Sequence, residues 1–210
     1  MHINLHGYWR SGAAYRVRIA LGLKGLGYDQ SPIDLRAGVQ KSEAYRALNP
    51  QGLVPALEVD GAVITQSPAI LEWLEEAHPT PPLLPVDPLD RARVRAMAAL
   101  VACDIHPLNN LRILTSLRKD LGADEAAVSA WIARWIGEGF TALEDLVGDQ
   151  GWCFGAAPTL ADCCLIPQIY SAERFSVDLT AYPRIRAIGA NAAQHHAFAA
   201  AHPSRQPDAD

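Results

Sequence analysis

YWRSGAAYRVRIAL, residues 8–21, places a serine at the boundary between a short strand and an arginine-studded helix. Upstream, INLHGY (3–8) is short and partly apolar, as an edge or half-buried strand is. Downstream, Val17, Ala20 and Leu21 recur at helical spacing. Ser11 therefore sits at or beside a helix N-cap, which admits two readings. As a cap, its hydroxyl satisfies a backbone N–H of the first turn. As a functional group, Ser11 and the free N–H groups of Gly12 and Ala13 hold a thiolate, which the positive helix end favours. The stretch alone leaves both open.

The first eighty residues alternate strand and helix signals. The spacing predicts strands over 3–8 and 28–34, helices over 12–25 and 41–48, strands over 55–59 and 62–65, and a helix over 68–77. Asp60-Gly61 is a hairpin turn between the last two strands. This β-α-β-α-β-β-α order makes a small mixed sheet flanked by helices. The tetrapeptide at the first strand-helix turn is Ser11-Gly12-Ala13-Ala14 and not C-x-x-C, which excludes dithiol exchange.

Four prolines in the seven residues 79–85 cannot continue a helix and read as a stiff linker. Beyond it the signals are helical: 89–119, 124–147, 159–173, 183–193 and a short turn near 195–201. Thr159 and Asp162 have capping-box spacing. The division expected is therefore an α/β domain over 1–84 and an all-helical domain over 85–210, with a polar, disordered tail from Pro203.

Composition narrows the function. Half of the 210 residues are hydrophobic and a fifth are charged, as in a soluble globular protein. No run approaches the about 18 apolar residues of a membrane span, and MHINLHGYWR does not resemble a signal peptide, so a cytoplasmic location without membrane partners is expected. Cys103, Cys153, Cys163 and Cys164 lack metal-site or disulfide spacing, and the adjacent pair reads as small apolar packing in a helix. A net charge of −5 argues against nucleic-acid binding. Anionic ligands would have to be drawn by locally placed arginines and helix N-termini.

Set in order, R-S-x-x-x-x-R-V-R-I-A-L (10–21), A-L-N-P (47–50), L-V-P-A-L (53–57), Q-S-P-A-I (66–70) and C-D-I-H-P-L-N-N (103–110) closely resemble zeta-class glutathione transferases. The resemblance runs from about residue 3 to about residue 186. It implies a thioredoxin-like N-terminal domain followed by an all-α C-terminal domain, reduced glutathione as cofactor and a homodimer. Many members read Ser-Ser-Cys where this chain has Ser11-Gly12-Ala13, which leaves Ser11 as the only side-chain donor at that turn.

Further residues take roles from the same resemblance. Val54-Pro55 is either an ordinary strand-start proline or, as in the family, a cis bond that presents the Val54 backbone to the glutathione peptide. Gln66 and Ser67, with Pro68 at the first helical position, offer an amide, a hydroxyl and a helix N-terminus to the γ-glutamyl carboxylate. Gln40, by itself a loop residue, matches the contact to the glycine end. Asp104, His106, Asn109 and Asn110 are a polar knot in an apolar helix that Pro107 should loosen. The resemblance makes Asp104, His106 and Asn110 glutathione contacts. Arg10, Arg112 and Arg174 match positions that bind substrate carboxylates, for which guanidinium forks are suited. Arg174 also reads as a helix-C-terminal cation. Arg16 and Arg18 read as structural ion pairs, and Arg91, Arg93 and Arg95 as a solvated face.

The activity implied is glutathione-dependent cis–trans isomerisation of a maleyl diketo acid in aromatic-compound degradation. Maleylacetoacetate is the first choice and maleylpyruvate the alternative. Conjugation or dehalogenation of small α-halo acids needs the same thiolate but a leaving group on the substrate. A non-catalytic glutathione-binding scaffold would need none of Ser11, Gln66 and Ser67.

Overall fold

The computed structural model describes all 210 residues, which divide into two compact units: Met1–Leu83 with Ala193–Asp210, and Leu84–Ala192.

The first unit is built on a four-stranded sheet of β1 (Ile3–Gly7), β2 (Asp29–Pro32), β3 (Ala56–Val59) and β4 (Ala62–Thr65), in the order β2-β1-β3-β4. β1 runs parallel to β2 and antiparallel to β3, and β3 and β4 form the hairpin turned at Asp60-Gly61. Helices α1 (Gly12–Leu23), α2 (Glu43–Leu48) and α3 (Ser67–Ala77) complete the expected order. Ile3, Leu5 and Leu57 from the sheet are buried, as are Val17, Ile19, Ala20 and Leu21 of α1 and Ile70, Leu71 and Leu74 of α3. Burying these aliphatic side chains stabilises the unit through the hydrophobic effect.

In the second unit the run expected to be one helix over 89–119 is interrupted. α4 (Pro88–Ala99) passes into a π-helical segment, Leu100–Ile105, and a 3-10 turn, His106–Asn109, before α5 (Leu111–Lys119) begins. Pro107 removes an N–H and clashes with the preceding turn, so the helix ends there and restarts. α6 (Glu125–Leu146) packs inward through Val128, Ile132, Ile136, Phe140 and Leu143. Gly139 on α6 receives the Ile105 side chain, into which any Cβ would run. α7 (Leu160–Arg174) is almost wholly buried, Cys163 and Cys164 included, and α8 (Pro183–Gln194) follows.

The end of the chain departs from expectation. Residues 203–210 are ordered: α9 (His196–Ala201) and a 3-10 turn, Pro203–Arg205, return to the first unit, so the helical unit stops at Ala192 and not at 210. Polar contacts hold them. The Arg18 guanidinium donates to the carbonyls of Ala201 (3.0 Å) and Trp9 (2.9 Å), and Gln206 donates to those of Ala200 (3.0 Å) and His202 (2.8 Å). The tail's polar composition concealed that its side chains satisfy backbone acceptors.

Candidate functional site

Strand register brings three junctions of the first unit to one end of the sheet. His6 of β1 faces Ala56 of β3, which faces Thr65 of β4. The turn after β1 (Tyr8–Ser11), the segment before β3 (Val54-Pro55) and the residues after β4 (Gln66-Ser67) therefore emerge side by side.

At the first junction Ser11 is the N-cap of α1. Its N–H donates to Tyr8 O (2.9 Å), and its Oγ accepts from Ala14 N–H at 3.2 Å. The cap reading is thus realised without exhausting the hydroxyl, which has one proton and two lone pairs. Tyr15 N–H is taken by Ser11 O, leaving the N–H groups of Gly12 and Ala13 in the first turn. No acidic residue lies in that turn, so the positive end of α1 is uncompensated by its own side chains. Arg10 is half-buried, with its guanidinium 5.0 Å from the Trp9 ring centroid. The Trp9 N–H donates to Asp208 (2.9 Å), so the returning tail braces the turn.

At the second junction the Val54-Pro55 bond is cis. Just before it, Leu53 O accepts from Tyr45 Oη (2.8 Å) and Asn49 Nδ2 (2.6 Å). Burial pushes the Tyr45 hydroxyl up to about 12, so it stays a donor. Gly52, at φ 65°, passes so near Gln40 that a Cβ there would lie 2.9 Å from Gln40 O. Gln40 is buried and not a solvated loop residue, and its Oε1 has no hydrogen-bond partner within the protein. A buried orphan acceptor of this kind suits a ligand N–H.

At the third junction the helix begins one residue earlier than its proline implied. Gln66 is the N-cap of α3, Ser67 its first residue and Pro68 its second. Gln66 has φ 69° and ψ 113°, a conformation that costs a non-glycine residue roughly 1–3 kcal/mol and is concentrated at ligand sites. Its amide donates to Gln51 Oε1 at 2.6 Å and caps nothing. Ser67 is buried, and its Oγ accepts from Arg16 Nη1 at 3.2 Å. Arg16 and Arg18 are both buried, and their guanidinium groups reach this hydroxyl and the two carbonyls named above.

The remaining expected residues lie in the second unit. Asp104 is exposed in the π-helical segment, and His106 opens the 3-10 turn. Asn110 is the N-cap of α5, its side chain accepting from Arg112 N–H (3.3 Å), and buried Asn109 donates to Ile105 O (3.4 Å). Arg112 is exposed in the first turn of α5. Arg174 is exposed in the last turn of α7, with its guanidinium 4.3 Å from the Phe175 ring centroid. No group of three or more His, Cys, Asp or Glu is arranged to hold a metal, and no helix is long and apolar enough to cross a membrane.

Sequence reasoning missed Tyr45, Gln51 and Asp208 and the contact from Arg16 to Ser67, whose partners are 8, 15, 199 and 51 residues away. Arg16 lies within the motif over 10–21 and Asn49 within A-L-N-P, but neither motif signalled the distant partner.

Comparison with known proteins adds to this geometry. The family profiles described as glutathione S-transferase N-terminal domain and C-terminal domain match residues 10–77 and 125–188. A maleylacetoacetate isomerase of Pseudomonas aeruginosa is 56% identical over 209 residues, 98% of each chain. The holo structure of a maleylpyruvate isomerase, described as a bacterial glutathione S-transferase of the zeta class, superposes with a TM-score of 0.97. It is 53% identical and covers 99% of this chain and 100% of that one. A maleylacetoacetate isomerase structure from Methylobacterium extorquens AM1 with bound malonate and glutathione has a TM-score of 0.93 at 42% identity, covering 99% of each chain.

Proposed function

The chain belongs to the zeta class of the glutathione S-transferase family, and from that premise we propose that it is a glutathione-dependent cis–trans isomerase of a maleyl diketo acid. Maleylacetoacetate is the proposed substrate, after the relative at 56% identity. Maleylpyruvate is the second reading, favoured by the similarity to the structure at TM-score 0.97. The proposed setting is aromatic-compound degradation, including that of tyrosine, in the cytoplasm, and the proposed assembly is a homodimer. Both rest on the family resemblance.

The observation that carries this reading is the convergence of α1, the cis Val54-Pro55 turn and α3 at one end of the sheet, with donors still available on each helix end. Bound there, glutathione would supply a thiolate that adds reversibly to the maleyl double bond and allows rotation about it. The chain's part is to hold and orient. Ser11 O–H and the Gly12 and Ala13 N–H groups favour the ionised sulfur. Gln66, Ser67 and the α3 N-terminus take the γ-glutamyl carboxylate. The Val54 backbone pairs with the peptide, and Gln40 takes the glycine end. Asp104, His106 and Asn110 are assigned further contacts on the glutathione side. Arg10, Arg112 and Arg174 are assigned the substrate carboxylates, fixing the alkene in attack geometry.

Absorbance assays of maleylacetoacetate and maleylpyruvate with and without glutathione test the reading. Turnover is expected only with glutathione present, and glutathione should not be consumed. Stoichiometric loss of glutathione would indicate conjugation instead, and no turnover of either acid would overturn the assignment.

A further inference from the structure

Arg16 lies one turn into α1, buried, and its Nη1 reaches across to Ser67 Oγ at the start of α3. This contact governs what Ser67 has left to offer. A hydroxyl oxygen that accepts from a guanidinium cannot send its own proton back along that line, because arginine has no acceptor. The charged donor also polarises the O–H, strengthening it as a donor in turn. Few other donors serve this helix start. Pro68 has no N–H, the Gln66 side chain does not cap the helix, and Ile70 N–H is taken by Gln66 O. The Ser67 hydroxyl proton thus joins the Ser67 and Ala69 N–H groups at an N-terminus with no acidic residue in its first turn.

We propose that Arg16 is a positioning residue for glutathione, setting the Ser67 hydroxyl to donate to the γ-glutamyl carboxylate. The proposal rests on the reading of Gln66 and Ser67 given above. It assigns Arg16 a role that acts through Ser67 without contact to the ligand, distinct from tying α1 to α3. A mere tie would affect every ligand alike.

The test compares glutathione with its analogue lacking only that carboxylate, 4-aminobutanoyl-cysteinylglycine. Calorimetric Kd values are measured for the full-length protein and for Arg16→Met, Arg16→Lys, Ser67→Ala and the Arg16→Lys/Ser67→Ala double variant. Arg16→Met should weaken glutathione binding about tenfold, as loss of a charge-assisted hydrogen bond does, and binding of the analogue less than about twofold. Arg16→Lys, which keeps a cation, should lose less and secures the test should the methionine variant fold poorly. In the Ser67→Ala background Arg16→Lys should cost glutathione affinity nothing further, since its route to the ligand is gone. Equal losses for the two ligands, or additive losses in the double variant, would overturn the proposal and leave Arg16 a structural tie. If the unmodified protein binds both ligands equally well, the subsite reading itself fails and takes the proposal with it.

Discussion

Lys24 Nζ lies 2.6 Å from Glu75 Oε2, both side chains buried, and this pair fastens the proline-rich segment to the first unit. Lys24 also donates to Pro81 O (2.6 Å), and Glu75 accepts from Leu83 N–H (2.9 Å). The unit boundary, after Leu83, falls where these bonds end. Removing one partner strands the other charge in the interior, at a cost of about 3–5 kcal/mol. Glu75→Leu should therefore lower stability to urea by about that amount. The Lys24→Met/Glu75→Leu double variant should be less damaged than the sum of the two single changes. Additive losses would mean that the charges do not depend on each other.

Ser11 is both a cap and the proposed thiolate donor, and the two roles separate by measurement. Ser11→Ala should cost about 1 kcal/mol of stability through the lost bond from Ala14 N–H. Its kcat with glutathione should fall by about 10² or more, the usual effect of deleting a donor to an anion, and the bound thiol should titrate higher. Full activity in this variant would leave Ser11 a cap alone.

Removing a guanidinium should divide the two ligands. Arg112→Ala or Arg174→Ala should raise KM for the diketo acid by one to two orders of magnitude, from the roughly 1.5–3 kcal/mol of a charge-assisted hydrogen bond. Glutathione Kd should change less than about threefold. A monocarboxylate analogue should be nearly indifferent to one of the two changes. Equal loss of both affinities in both variants would return these arginines to structural roles.

Asp162 provides a pH-dependent prediction. Its Oδ1 accepts from Cys153 N–H, and its Oδ2 from Thr159 N–H and Oγ1, each at 2.8 Å. Burial nonetheless raises its carboxyl above the ordinary value of 3.8, the hydrogen bonds from the backbone and side chains of Cys153 and Thr159 offsetting only part of the desolvation. Because the folded value exceeds the unfolded one, the folded state binds the proton more tightly. The associated stability is present below the ordinary carboxyl range and is lost as pH rises through the folded value. The stability margin of the protein over Asp162→Asn should accordingly narrow as pH rises from below the ordinary carboxyl range through the raised folded value, as chemical denaturation at a series of pH values would show. A widening margin would mean that the carboxylate is favoured by folding. Asp162→Ala, which orphans two buried N–H groups, should cost about 3 kcal/mol or more.

Several of these features were legible in the chain itself. The strand-serine-helix start, the Asp60-Gly61 hairpin, the Thr159/Asp162 cap and buried Cys163-Cys164 all depend on neighbours within a few residues, and the structure has each of them. Where local signals conflicted, boundaries moved. Pro68 pointed to Ser67 as the cap, yet the strained backbone of Gln66 brings the helix start one residue forward. Pro107 foretold a break, but not that a π-helical turn would precede it or that Asn110 would cap the restart.

By itself the sequence determined what is local or periodic: which segments are strands or helices, and which serines stand at helix starts. Only the tertiary structure decided which of these starts stand together. It also decided that buried Arg16 lies behind Ser67, that Gln40 is buried with an unpaired oxygen, and that the polar tail is ordered against Arg18 and Trp9. The reason is physical. Periodicity and capping are set by neighbours a few residues apart, whereas a buried hydrogen bond between distant residues depends on strand register and on the burial of every neighbouring group.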